Sequence, residues 1–397
     1  MLTFYDRMEI FYSTDWSLYP VLNTLLGLFA VLVLVQLYYI LFVFTKLLFR
    51  QSLDEKKTWP AVTVVVCAHN ELENLRELLP MLNEQDYPHY EVVVMDDRSV
   101  DGTVVFAETE SNAWSHVRFI HIKREYDHVT PKKYAVTTAI RNAAHEVILL
   151  TDADCRPTTD QWIKGMAAHL TEEKQIVLGF SPYEKRSGLL NRLIRFETFY
   201  AAVQYLSLAL AGKPYMAVGR NLMYRKELFM QNKGFYTHLR VTGGDDDLLM
   251  NEIATGQNTA VCLDADTFMV SIPKTTWGDW YRQKKRHLSV SKYYKTGNKL
   301  RLAALSGTHV LGWLLFLGLL VGGALNYKTL LGYLIVAGSI FGVRLLAQWI
   351  VLGLASRTLH RSVGWFAIPL MDKTLFIYYF CMSFIMWYNR RKKVRWR

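Results

Sequence analysis

What most restricts this chain is where its apolar residues fall. From Val21 to Thr45 an apolar run is interrupted only by Asn23, Thr24 and Gln36, and roughly 25 residues of this kind can span a bilayer as a helix. The run is too long for the apolar region of a signal peptide, and it lacks both a preceding basic stretch and a small-residue cleavage site, so an uncleaved anchor is expected. Apolar runs return at 302–325, 329–354 and 363–388, the last with Asp372-Lys373 inside it. The 397-residue chain is therefore expected to divide into an N-terminal segment with its anchor (1–54), a middle domain (55–300) and a C-terminal membrane region with a basic tail (301–397).

Charge sets the expected orientation. Lys46, Arg50, Lys56 and Lys57 follow the first apolar run, whereas Asp6, Glu9 and Asp15 outnumber Arg7 ahead of it; the positive-inside rule then places the middle domain in the cytosol of an integral membrane protein, most simply in a bacterial cytoplasmic membrane. The tail from Arg390 to Arg397 is also strongly basic, so it too belongs inside. Three full C-terminal crossings would leave it outside, so a re-entrant hairpin around Pro369–Lys373 is expected in preference to a complete last crossing. Much of the net charge of +11 lies beside the apolar runs, which suits an anionic membrane surface rather than nucleic acid. Arg344 and Gln348 fall mid-run, where a cation is costly and needs a partner; Asp372 or a lipid phosphate is expected to supply it. Cys67, Cys155, Cys262 and Cys381 are scattered without CxxC spacing, as in a reducing compartment and without a zinc motif.

The middle domain alternates strands and helices. Val62–Val66 is a β-branched run ending at Ala68-His69-Asn70-Glu71, and Leu72, Leu75, Leu78, Leu79 and Leu82 follow at helical spacing. Strands are predicted at Glu91–Met95, Val117–His121 and Glu146–Thr151, and helices after Asp101-Gly102-Thr103 and over Lys132–Ala144. Continuous apolar strands between amphipathic helices imply an α/β fold, a mostly parallel sheet with helices on both faces. Ligands of such sheets bind at the carboxyl ends of the strands, here marked by Asn70-Glu71, Asp96-Asp97 and Asp152-Ala153-Asp154. No G-x-G-x-x-G follows the first strand, which excludes a nicotinamide-binding sheet. Asp152 and Asp154, two apart at the end of a strand, converge on one spot. Such hard oxygen ligands suit a divalent cation that clamps a diphosphate.

In this order the motifs resemble those of a membrane-bound family 2 glycosyltransferase with a GT-A nucleotide-sugar-binding domain, inverting, related to polysaccharide synthases and lipid glycosyltransferases. The resemblance covers about residues 58–300: Ala68-His69-Asn70-Glu71, the loop from Asp96 to Thr103, Lys132-Lys133-Tyr134-Ala135, Thr151-Asp152-Ala153-Asp154, Gly243-Gly244-Asp245-Asp246-Asp247 and Gln283-Lys284-Lys285-Arg286-His287, similar to a Gln-x-x-Arg-Trp motif. It implies a UDP-sugar donor contacted by Asn70, Glu71, Asp97, Lys132, Asp152, Gln283 and Arg286, with Mg²⁺ or Mn²⁺ on Asp154. Asp97, more than Asp96, would bind uracil or ribose.

An acceptor hydroxyl attacking C1 needs a general base. Three adjacent carboxylates repel one another, which should raise at least one pKa toward a useful range. Matching the family's motif, Asp246 is the expected base, with Asp245 beside it and Arg286 neutralising diphosphate charge. A helix N-cap role for the same acids is compatible. The run Trp277–Tyr294 suits a helix on the membrane face, and a purely basic helix held to lipid is its alternative. Leu189–Leu210 is expected either along the bilayer surface or packed on the sheet, and Gly219-Arg220-Asn221 with Arg225 at the acceptor entrance. The expected reaction moves a hexose or N-acetylhexosamine from a UDP-sugar to a membrane-lipid or lipid-linked hydroxyl. A processive polysaccharide synthase is the alternative, disfavoured by His287 where the synthases carry Trp. A catalytically inactive nucleotide-binding scaffold is the alternative of another class.

Overall fold

A computed structural model describes residues 19–49, 58–110, 114–325, 327–360 and 363–388. The N-terminal acidic residues, Arg50, Lys56, Lys57 and the basic tail from Arg390 lie outside these residues. The chain forms two compact units, one spanning 46–295 and the other drawn from both ends of the sequence.

Seven strands form one sheet in the larger unit: β1 (Val62–Ala68), β2 (Tyr90–Asp97), β3 (Val117–Ile122), β4 (Val147–Asp152), β6 (Ile176–Leu178), β7 (Leu222–Arg225) and β8 (Thr259–Val261). Their order is β3-β2-β1-β4-β7-β6-β8. The first four are parallel, and β7 turns antiparallel to both β4 and β6. The mostly parallel sheet expected from the β-branched runs is thus formed. A second, two-stranded sheet pairs β5 (Cys155–Pro157) with β9 (Met269–Ser271).

The register decides where the acids go. Cys67 of β1 stands opposite Met95 and Asp152, and Ala68 opposite Asp96, so the last residues of three strands share one edge of the sheet. Below that edge the strands are buried because helices cover them. Leu75, Leu78, Leu79 and Leu82 of α1 (Leu72–Asn83) pack on Val62, Val64 and Val66, with α2 (Thr103–Glu110) contributing Phe106. The other face receives α3 (Pro131–Asn142), which packs on β1 and β2. Burying one Leu or Val side chain contributes about 1.5–3 kcal/mol, so this layer holds the strand ends in fixed relative positions.

The 22-residue helix α5 (Leu189–Leu210) follows the shorter α4 (Trp162–Ala168). Every residue of α5 from Ala202 to Ala209 is buried, and the helix packs on β8. This corrects the bilayer-surface alternative in favour of core packing: even Gln204 and Ser207 are buried in its second half, so no face is left for a bilayer surface. Beyond it come α6 (Lys226–Gln231), α7 (Asp247–Ile253) and α8 (Trp277–Val290).

In the second unit Pro20–Leu48, Thr296–Gly323, Leu331–Thr358 and Trp365–Ile385 are long and apolar enough to cross a membrane. The hairpin expected around Pro369–Lys373 is not formed. Ile368–Tyr388 is one continuous helix, and Pro369 falls in its first turn, where the missing N–H breaks no helical bond. Asp372 is accommodated because Arg344 Nη1 lies 2.7 Å from its Oδ2, Gln348 Nε2 donates to its Oδ1 at 2.8 Å and Trp313 Nε1 donates to Oδ2 at 2.9 Å. The Arg344–Asp372 pairing is therefore the one adopted. Arg344 also donates to Gln36 Oε1 at 2.7 Å, so one polar network joins all four helices.

Candidate active site

Two turns at the strand ends build one wall of the site. Asn70 and Arg98 both adopt left-handed backbone (φ 56° and 59°), a conformation that asparagine tolerates but that costs Arg98 energy and persists there because its surroundings enforce it. The Asn70 N–H donates to Ser99 Oγ, and Asn70 Oδ1 accepts from the Val100 N–H. Asp101 accepts from the Leu72 and Thr103 N–H groups, capping two helices with one carboxylate. Glu71 accepts from Asn74 Nδ2, and burial raises its pKa. Asp97 is held by Arg98, with Nε donating to Oδ1 at 2.8 Å. Asp96 lies deeper, against His121 Nδ1 at 3.2 Å.

Across the edge, Lys132 Nζ reaches Asp152 Oδ1 at 2.9 Å and Asp245 Oδ2 at 3.0 Å. The candidate nucleotide-sugar corner and the three-acid loop therefore meet at one ammonium. Burial alone would discharge Lys132, but these two carboxylates hold its pKa well above the ordinary range. Burial works against the charge of Asp245 too, and Lys132 outweighs it, so Asp245 stays below the usual carboxylate range.

The other acids shift the opposite way. Burial and Asp245 push Asp246 up, although its Oδ2 accepts from the Gly219 N–H at 2.6 Å and its Oδ1 from the Asp247 N–H at 2.8 Å. Asp246 is the N-cap of α7, so the capping role expected for these acids falls to the residue expected as the base. Asp247 is raised further by burial and Asp246, and accepts from Tyr294 OH at 3.1 Å. Gly243 and Gly244 (φ 86° and 76°) make the loop possible: a Cβ on Gly244 would stand 2.7 Å from Leu248 Cγ and 3.0 Å from Val290 Cγ1. The same close approach lays the loop along α8 beside Arg286, whose charge helps hold Asp245 ionised.

Lys133, buried next to Lys132, donates to the carbonyls of His238 and Val241 at 2.7 Å each and so clamps the segment entering the glycine loop. α8 is held by an ion pair between Lys284 and Glu197 of α5, while Gln283 Nε2 donates to Tyr183 OH at 3.3 Å. His287 lies exposed on α8. The helix is thus packed into the larger unit through Trp280, Lys284 and Val290, beyond what a purely basic lipid-facing helix requires.

Part of the expected acceptor entrance is corrected. Asn221 lies in the core, accepting from Trp162 Nε1 and donating to the carbonyls of Phe180 and Thr267. Arg225 ends β7 opposite Val147, at the amino end of β4, and pairs with Glu172 on the far edge of the sheet. Of that group Gly219 and Arg220 stay at the site. Lys133, Tyr183 and Tyr294 were not singled out by sequence pattern, since each acts through a partner 47 to 108 residues away.

The donor set fits a hard divalent cation. Asp152 and Asp154 offer carboxylate oxygens at one strand end, and burial and the charge of Asp152 raise the pKa of Asp154. Among the described residues the ligand trio with atoms within 4.8 Å of one another is His169, Cys262 and Asp264, elsewhere in the chain. The acidic corner therefore offers one or two carboxylates, as suits Mg²⁺ or Mn²⁺ that completes its shell with phosphate and water.

Residues 63–232 match the Glycosyl transferase family 2 model. Over 110 residues the chain is 33% identical to Glycosyltransferase AglE of Haloferax volcanii, covering 27% of this chain and 34% of that one. Over 118 residues it is 30% identical to the uncharacterized glycosyltransferase YfnE of Bacillus subtilis, covering 30% and 29%. The chain thus spans about a third of the length of the curated relatives it matches. The fold is shared with the mannosyltransferase PcManGT from Pyrobaculum calidifontis in complex with GDP-Man and Mn²⁺, at TM-score 0.54 and 21% identity over 80% of this chain and 98% of that chain.

Proposed function

From the premise that residues 63–232 form a Glycosyl transferase family 2 domain, we propose that the chain is an inverting glycosyltransferase. It moves a hexose or N-acetylhexosamine from a UDP-sugar to the hydroxyl of a membrane lipid or lipid-linked acceptor, on the cytosolic side of the membrane. The observation that carries this reading is Lys132, which ties Asp152 to Asp245 and so brings the donor-side carboxylates beside Asp246.

In this mechanism Asp97, Asn70 and Glu71 face the nucleoside, and Asp152 orients the sugar. Asp154 and Asp152 would hold Mg²⁺ or Mn²⁺, which supplies Lewis-acid stabilisation of the departing diphosphate. The acceptor oxygen forms a bond to sugar C1 while the bond from C1 to the β-phosphate oxygen breaks, and the nucleoside diphosphate leaves with that electron pair. The acceptor's proton passes to a carboxylate oxygen of Asp246. Two backbone N–H groups orient that carboxylate, and its raised pKa makes it a stronger base than an exposed aspartate. Arg286 and Gln283 close the site from α8.

The test is transfer by the purified full chain with Mn²⁺, mixed membrane lipids and a panel of UDP- and GDP-sugars. Wild-type protein is expected to release UDP and add a single sugar. Asp246→Asn should lose about 10²–10⁴-fold in transfer while still binding UDP. Transfer at the wild-type rate by Asp246→Asn would remove that residue from the base role, and activity with GDP-sugars alone would replace the donor.

A further inference from the structure

Arg220 carries a cation that makes no ion pair among the described residues. Its backbone is fixed on both sides: the Gly219 N–H is bonded to Asp246, and the Asn221 side chain is locked in the core by its three hydrogen bonds. The guanidinium lies over the Tyr183 ring, with Cζ 4.5 Å from the centroid, and Tyr183 OH is in turn bonded to Gln283 of α8. The side chain is therefore stacked in one orientation, yet Nη1 is buried and has no hydrogen-bond partner. Among the described residues it forms no ion pair; Asp154 and Asp152 act on it only as charges further off.

Leaving a buried charged donor unsatisfied costs more than the ~1–3 kcal/mol of a neutral one. Lys132 at this edge is already committed to two carboxylates. An arginine fork held by stacking of its face, with donors unspent beside an acidic metal corner, has the geometry for phosphate oxygens, which accept parallel N–H bonds from its in-plane edge.

We infer that Arg220 is a phosphate-binding residue of this cleft, its Nη1 donating to a phosphate oxygen of a substrate. The inference rests on the glycosyltransferase reading and extends it, because the phosphate can belong to the donor's diphosphate or to a phosphorylated acceptor head.

Calorimetric titration of the full chain with Mn²⁺ separates the sources, using UDP and GDP in one arm and an alkyl phosphate on UDP-saturated protein in the other. Arg220→Gln is expected to weaken one of these ligands about tenfold to a hundredfold, as for loss of a charged hydrogen bond, and to leave uridine binding unchanged. A loss confined to the first arm assigns the donor phosphate; a loss confined to the second assigns the acceptor. Unchanged affinity in both arms, with wild type binding normally, overturns the inference alone. Failure of wild type to bind either nucleotide overturns the glycosyltransferase reading, and the inference with it. If Arg220→Gln does not fold, Arg220→Lys replaces it: it keeps the charge but not the fork, and wild-type affinity in both arms would again reject the inference.

Discussion

Asp245, Asp246 and Asp247 are the same residue type in consecutive positions, and the fold separates their chemistry. Lys132 keeps Asp245 ionised, two N–H groups aim Asp246, and burial with the charge of Asp246 drives Asp247 toward the neutral acid against the opposing hydrogen bond from Tyr294. The sign of the last effect is testable. A carboxyl that binds its proton more tightly folded than unfolded contributes stability at low pH and loses it as pH rises from the ordinary carboxylate range, near 4, toward its raised value. Asp247→Asn keeps an oxygen to accept from Tyr294 and removes the titration. Its thermal midpoint should match wild type below about pH 4 and exceed it by a margin that widens toward neutrality; a pH-independent difference would reject the assignment. The acid-rich motifs themselves were legible in the sequence, because strand alternation and glycine-flanked acids are local patterns. The division of labour among them was not, since it depends on Lys132, Gly219 and Tyr294, all distant in the chain.

Among elements, the four strand ends and the helices between them followed from β-branched runs and leucine spacing, and the register put the predicted acids on one edge. Helix α5 shows where periodicity fails. A few charges near its start suggest an amphipathic surface helix, but Ala202–Ala209 is buried throughout because β8 packs on it. The last helix is the converse: Pro369 and Asp372-Lys373 look like a turn, yet Arg344, Gln348 and Trp313 satisfy Asp372 and the helix continues. Arg344→Leu should therefore destabilise the folded chain by about 3–5 kcal/mol, because it leaves a buried carboxylate unpaired, whereas Arg344→Leu with Asp372→Leu should recover most of the loss. Resistance to thermal inactivation in detergent reads the difference. Equal stability of wild type and the single variant would reject a structural role for the pair.

For the whole molecule, the expected consequence of an acidic corner already neutralised in part by Lys132 is that folding and metal use are separable. Chelation by EDTA should abolish transfer, restored by Mn²⁺ or Mg²⁺, while the thermal midpoint of the free protein moves by less than about 1 °C, a shift of no more than about 1 kcal/mol for a chain of this size. A large fall in the midpoint would mean that the ion is part of the folded structure. Product length from the same assay, one sugar against a ladder, separates single transfer from polymerisation. By itself the sequence determined the division into apolar ends and an α/β middle, the sheet's polarity and the acids at its carboxyl edge, because hydropathy and side-chain periodicity act over neighbouring residues. Only the tertiary structure decided that one lysine joins Asp152 to Asp245, that Arg344 is spent on Asp372, and that Arg220 is left without an ion pair among the described residues. Those outcomes depend on contacts between residues far apart in the chain, where burial and charge are shared, and no local pattern carries that information.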